Sequence, residues 1–195
     1  IGFTSYSAFM GHMGVDAAAA NSVASVVRSL VSCFMRGLAG GAAILIGYEL
    51  GSGKLDRARE YGDKLVVISI ICGIISAILT LLTVYPSLKI VKLSEGATRD
   101  FLEMAIVLSV YMVCCSLNSV VINGMFASGG DTMFDFYSLC VTMWMLAIPL
   151  AALGTFVFSW PVLIVYGCTC LDEVGKIPWT MYQYKKYKWV KDLTI

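Results

Sequence analysis

Five ionisable side chains stand in stretches that otherwise exclude charge. Arg28 and Arg36 interrupt the small-residue tract 17–48, and Asp172, Glu173 and Lys176 follow 36 uncharged residues, 136–171. An ionisable group at membrane depth costs roughly 2.5–3.5 kcal/mol on insertion scales, so it persists where it binds, relays or pairs with something. On a helix Arg28 and Arg36 are eight residues and about 80° apart, near enough to face one cavity. Asp172 and Lys176, spaced i,i+4, fall on one face as a nearly self-neutralising pair. Two roles stay open for the acids: a structural pair with Lys176 or an arginine, or chemistry with a coupling ion or substrate. A carboxyl desolvated there exchanges protons across the pH range of a cell. The plainer alternatives are snorkelling to the outer interface for Arg28 and an interhelical ion pair for Arg36. Asn118 and Asn123 add uncharged hydrogen-bonding groups, with packing as their plainer role.

Composition says why such charges matter. The chain is 58% hydrophobic and only 14% charged, with a mean hydropathy of +0.81, whereas soluble domains carry about 25% charged residues. The fold class expected is an all-α integral membrane protein. With a net charge of +1 and no basic face, nucleic acid is excluded as a partner, and the lipid bilayer is the partner that matters. The seven cysteines lie in apolar runs, behave as small hydrophobes and suggest neither disulfides nor a metal site. The lone His12 has no catalytic companion, so an intramembrane enzyme lacks support, and no organic cofactor is expected.

Helices must position these charges, and about 20 apolar residues cross a hydrocarbon core of about 30 Å. That measure divides residues 1–184 into a partial span 1–13 and spans 17–48, 65–88, 104–126, 136–158 and 161–184, followed by a basic tail, 185–195. The chain opens inside an apolar segment and reads as part of something longer. Asp16 is placed to cap the second helix, the glycines Gly47, Gly51 and Gly53 to stop it, and Pro86 to end the third. Residues 54–64 form a charged amphipathic approach to the third span. Residues 123–134 form a polar, glycine-bearing hinge in which Gly129 and Gly130 supply unusual φ values and Asp131 caps the next helix. Pro161 begins the last span, with Trp160 as an interface anchor. Lysines and arginines at 54–64 and 185–191 put both segments, and the C-terminus, on the cytoplasmic side of a plasma membrane.

Two motifs then resemble a known family. Gly47-Tyr48-Glu49-Leu50-Gly51-Ser52-Gly53, with Ala58, is similar to the loop after the eighth helix of multidrug and toxic compound extrusion (MATE) transporters, and Asn123-Gly124 with Gly129-Gly130-Asp131-Thr132 to the loop after the tenth. Trp144 with Pro149-Leu150-Ala151 and residues Lys188 to Thr194 fit the same pattern. The resemblance implies the C-terminal six-helix lobe of a twelve-helix transporter, late helix seven to helix twelve, whose N-terminal lobe is absent from this chain. It also implies export of organic cations and drugs by alternating access, coupled to a proton or sodium ion. One departure is that sodium-coupled members carry a carboxylate inside helix ten, whereas here no acid stands between Glu103 and Asp131, with Ser116 and Asn118 near that position. Aromatics and methionines (Phe34, Met35, Tyr111, Met112, Trp144, Met145) are candidates to line a site for apolar cations, as is Met143. A lipid-linked oligosaccharide flippase or polysaccharide exporter of the same superfamily, favoured by a basic cavity, is the first alternative; a structural membrane scaffold is the second.

Overall fold

A computed structural model of the chain describes residues 2–191; Ile1, at the start of the partial span, and Asp192, Leu193, Thr194 and Ile195, in the tail, lie outside the described residues. The described residues form helices and turns without a strand. Helix α1 (Gly2–His12) is short, α2 (Val15–Gly51) and α3 (Leu55–Ile90) are long, and α4 (Glu95–Asn118) continues through a π-helical segment, Ser119–Phe126. The next pass joins α5 (Thr132–Cys140), a π segment Val141–Ala147, α6 (Ile148–Ala152) and a second π segment Leu153–Val157, and the last joins α7 (Val162–Val174) to α8 (Ile177–Lys185). One partial and five long passes result, an all-helical lobe. Four of them, Val15–Gly51, Leu55–Ile90, Glu95–Phe126 and Thr132–Val157, are each long and apolar enough to cross a membrane.

The helices outlast the apolar spans expected of them. Residues 54–64 belong almost wholly to α3, whose 36 residues reach about 54 Å, well past the hydrocarbon thickness. Pro86 lies inside α3 instead of ending it. Thr83 Oγ1 donates to Thr80 O and Ser87 Oγ to Thr83 O on either side of the proline. Asp16 is not the cap of α2 either. Gly14 holds that position at φ 129, a value only glycine takes readily, while Asp16 Oδ1 accepts a hydrogen bond from Ser94 Oγ (2.6 Å) and ties α2 to the start of α4. Asp131 occupies the cap position of α5 without making a cap hydrogen bond; its carboxylate accepts from Gln183 Nε2 (3.4 Å). Pro161 is the residue before α7, not its first, and Trp160 stacks on Phe158.

Helix α3 is apolar outside and small or polar inside. Ile68, Ile71, Ile75, Ile78 and Leu82 are exposed, whereas Gly62, Ser69, Gly73, Ser76 and Thr80 are buried, as expected where lipid offers no hydrophobic drive and close backbone approach holds helices together. A Cβ on Gly73 would stand 3.0 Å from Val113 Cα, and Ser116 Oγ donates to Ser69 O at 2.8 Å beside it. Gly73→Leu is therefore expected to force α3 from α4 and cost about 1–3 kcal/mol, read as a lowered Tm of the purified transporter; an unchanged Tm would refute the tight seam.

The hinge at 123–134 is mostly helix. Helical turns run on to Ser128, and only Gly129, Gly130 and Asp131 leave them. Gly124 lets α2 approach, since a Cβ there would meet Ala42 Cβ and Ala39 O at 3.0 and 3.3 Å, and Ser128 Oγ donates to Ala43 O (2.9 Å) across the seam. Gly130 has φ 80 and Gly53 φ 70. Gly129 is needed for space, because a Cβ there would overlap the backbone of Trp189. The tail is therefore docked through Val190, with Trp189 buried at 1% exposure.

Candidate functional site

Helix α4 packs against α2, α3 and α7, and so gathers side chains from distant parts of the chain. Pro178 has no N–H to bond Val174 O, and it stands in the first turn of α8, so the last pass divides at Gly175 and Lys176. The break sits at the charges. Asp172 and Glu173 occupy the last turn of α7, the negative end of its dipole, where carboxylates are disfavoured and a cation is favoured. Lys176 supplies the cation.

The expected i,i+4 pair does not form. Lys176 Nζ bonds Glu173 Oε1 at 3.0 Å, an i,i+3 pair; α7 ends at Val174, so Lys176 lies beyond the helix whose i,i+4 spacing the expectation assumed. Asn118 Nδ2 donates at 2.8 Å to both Glu173 O and Glu173 Oε2. Glu173 is thus fully engaged. Asp172, 1% exposed, has an Oδ1 with no hydrogen-bond partner among the described residues, as do Asn118 Oδ1 and the Tyr6 hydroxyl. Arg28 and Tyr6 lie within electrostatic range of Asp172. Of the two arginines only Arg28 comes within electrostatic range of an acid at the end of α7, and it forms no ion pair there among the described residues. Tyr6 and Tyr166, both buried, were missed by sequence reasoning; only an interior position, which a tyrosine does not advertise, distinguishes them.

A second feature opens beside this cluster. A cavity of about 330 Å³ is lined by Arg28, Ser32 and Arg36 from α2 and by Tyr111, Ser119 and Asn123 from the α4 pass. Arg28 lies over the Tyr111 ring at 5.9 Å. Arg36 is exposed and makes no ion pair among the described residues. The structure thus joins Arg28, Arg36 and Asn123 at the cavity and Asn118, Asp172, Glu173 and Lys176 in the cluster. Gly53, Gly129 and Gly130 stay at the far turns, whereas Gly47 and Gly51 lie inside α2, which runs through them to end at Gly51 instead of stopping at the first glycine. Of the candidate aromatics and methionines only Tyr111 lines the cavity; Met35, Met112 and Met143 are buried, and Phe34, Trp144 and Met145 are exposed.

The MatE family model matches residues 1–153. The chain belongs to the MatE family. Among solved structures, this MatE chain is similar to a MOP superfamily transporter from Pyrococcus furiosus Vc1 (DSM3638), described as having a binding pocket whose reverse polarity suggests a different function; the TM-score is 0.85 at 18% identity, over 100% of this chain. The chain spans 43% of that transporter's length. At this identity the likeness establishes the shared fold. No match was found among curated proteins.

Proposed function

We propose that the chain is the second lobe of an ion-coupled antiporter working by alternating access, with Asp172 as the group that takes up and releases the coupling proton. The observation that carries this reading is a carboxylate 1% exposed with an unpartnered oxygen, beside a second carboxylate already engaged by Lys176 and Asn118. A proton is favoured over sodium because the one acid that reaches the tenth helix, Glu173, has no oxygen to spare. A structural scaffold gives no reason for such a carboxylate. The missing partner is the first lobe, and the Lys and Arg pattern supports a plasma-membrane orientation with a cytoplasmic C-terminus.

Organic cations and drugs are the exported class the resemblance implies. A second reading, the lipid-linked oligosaccharide flippase or polysaccharide exporter, is favoured by the two arginines at the cavity, whose lining holds no acid. Efflux by the complete transporter in an efflux-deficient host, with proton and sodium gradients collapsed separately, tests the coupling. Collapse of the proton gradient is expected to stop efflux, and Asp172→Asn to abolish that dependence at normal expression. Efflux indifferent to both gradients, or a fully proton-dependent Asp172→Asn variant, would defeat it.

A further inference from the structure

The cavity between α2 and α4 carries chemistry that proton exchange at Asp172 leaves unexplained. Two rows of side chains form its walls. Arg28, Ser32 and Arg36 recur every four residues along α2, with Ser29 beside them, and Tyr111, Cys115, Ser119 and Asn123 recur every four along the facing pass. In an α-helix a four-residue step overshoots one turn by about 40°, so such a row drifts off its face. The facing row meets the π segment at Ser119, where the turns are wider and four residues fall short of a full turn. The drift reverses, and Asn123 returns to the cavity. The π segment has a positional reason here.

We propose that this cavity binds the anionic group of an organic solute, a carboxylate, sulfonate or phosphate carried on an aromatic or otherwise apolar body. The guanidinium groups offer forked donors suited to such oxygens, and the serine, tyrosine and asparagine side chains add neutral donors. No acidic side chain lines the cavity. Arg28 lies within electrostatic range of Asp172, whereas Arg36 has no ion-pair partner among the described residues. Phe3 and the Tyr111 ring supply apolar wall, and about 330 Å³ falls in the range of small-molecule sites. An organic cation placed there would face two like charges.

The inference names the substrate class of the transport reading and rests on that reading for its role, but binding is measurable without transport. The complete transporter, purified in detergent, would be titrated with carboxyfluorescein and with rhodamine 123, xanthene dyes of similar size and opposite charge, and followed by fluorescence anisotropy. Carboxyfluorescein is expected to bind more tightly. Arg36→Gln should weaken it by about tenfold or more, Arg36→Lys should retain part of the affinity, and Arg36→Glu should reverse the preference. Arg36 is exposed, so these variants decide the matter even where Arg28→Gln fails to fold. Displacement by dioctanoyl phosphatidylglycerol but not by glycerol phosphate assigns a lipid headgroup, and displacement by glycerol phosphate a soluble anion. Tighter binding of rhodamine 123, or carboxyfluorescein affinity unmoved by Arg36→Gln, would overturn the site. Intact anion binding with efflux indifferent to both gradients would instead reject the antiport reading alone.

Discussion

Trp189→Ala is expected to undock the C-terminal segment and to cost about 3–5 kcal/mol locally, the range for emptying a buried aromatic site. The indole is 1% exposed, and a Cβ on Gly62 would come within 2.8 Å of it. It stacks on Tyr184 at 5.9 Å and 16°, and Tyr184 Oη donates to Asp63 Oδ1 at 2.6 Å. Through these contacts one segment holds the first turns of α3 and the 129–131 turn together. Hydrogen exchange of the intact transporter measures the effect, because local opening is reported segment by segment. Exchange should rise in residues 186–191 and in both segments they cover, with Trp189→Phe intermediate. A pattern identical to the unaltered protein would show that the segment carries none of this stability.

Lys176→Met is expected to produce a loss of similar size for an electrostatic reason. Removing one partner of a buried ion pair leaves an uncompensated charge and costs about 3–5 kcal/mol, whereas replacing both partners is often close to neutral. Here the Lys176 side chain is 4% exposed and that of Glu173 16%, and both acids would remain at the negative end of α7. Pairing Lys176→Met with Glu173→Gln should restore most of the loss, and a double-mutant cycle on the Tm of the purified transporter isolates the interaction. Additive effects of the two substitutions would mean that the bond at 3.0 Å contributes no net stability.

Much of this was legible in residue types. Long uncharged tracts announce helices in lipid because no other open structure satisfies the backbone there, and Gly53 and Gly130 announce turns through φ values that other residues resist. The positions of the charges within apolar tracts marked Arg28, Arg36, Asp172 and Glu173 as candidates. Boundaries were less legible. Charge ends an apolar span but not a helix, so α3 took in nearly all of residues 54–64, and it continued past Pro86 to Ile90. Pro178, whose effect on the last pass is local and readable, was passed over.

The sequence by itself determined the membrane class, the succession of helices, the family and the identity of the charged residues, because each depends on composition or on contacts within a few residues. Tertiary structure alone decided the partners. Asn118 and Glu173 are 55 residues apart, and no spacing rule joins them; the packing of α4 against α7 does. The end of α7 at Val174 left Lys176 paired with Glu173 instead of Asp172, and left Asp172 Oδ1 without a hydrogen-bond partner among the described residues. Partnership between buried charges is settled by where the helices cross and how they bend, and those depend on side-chain volumes summed over the whole lobe.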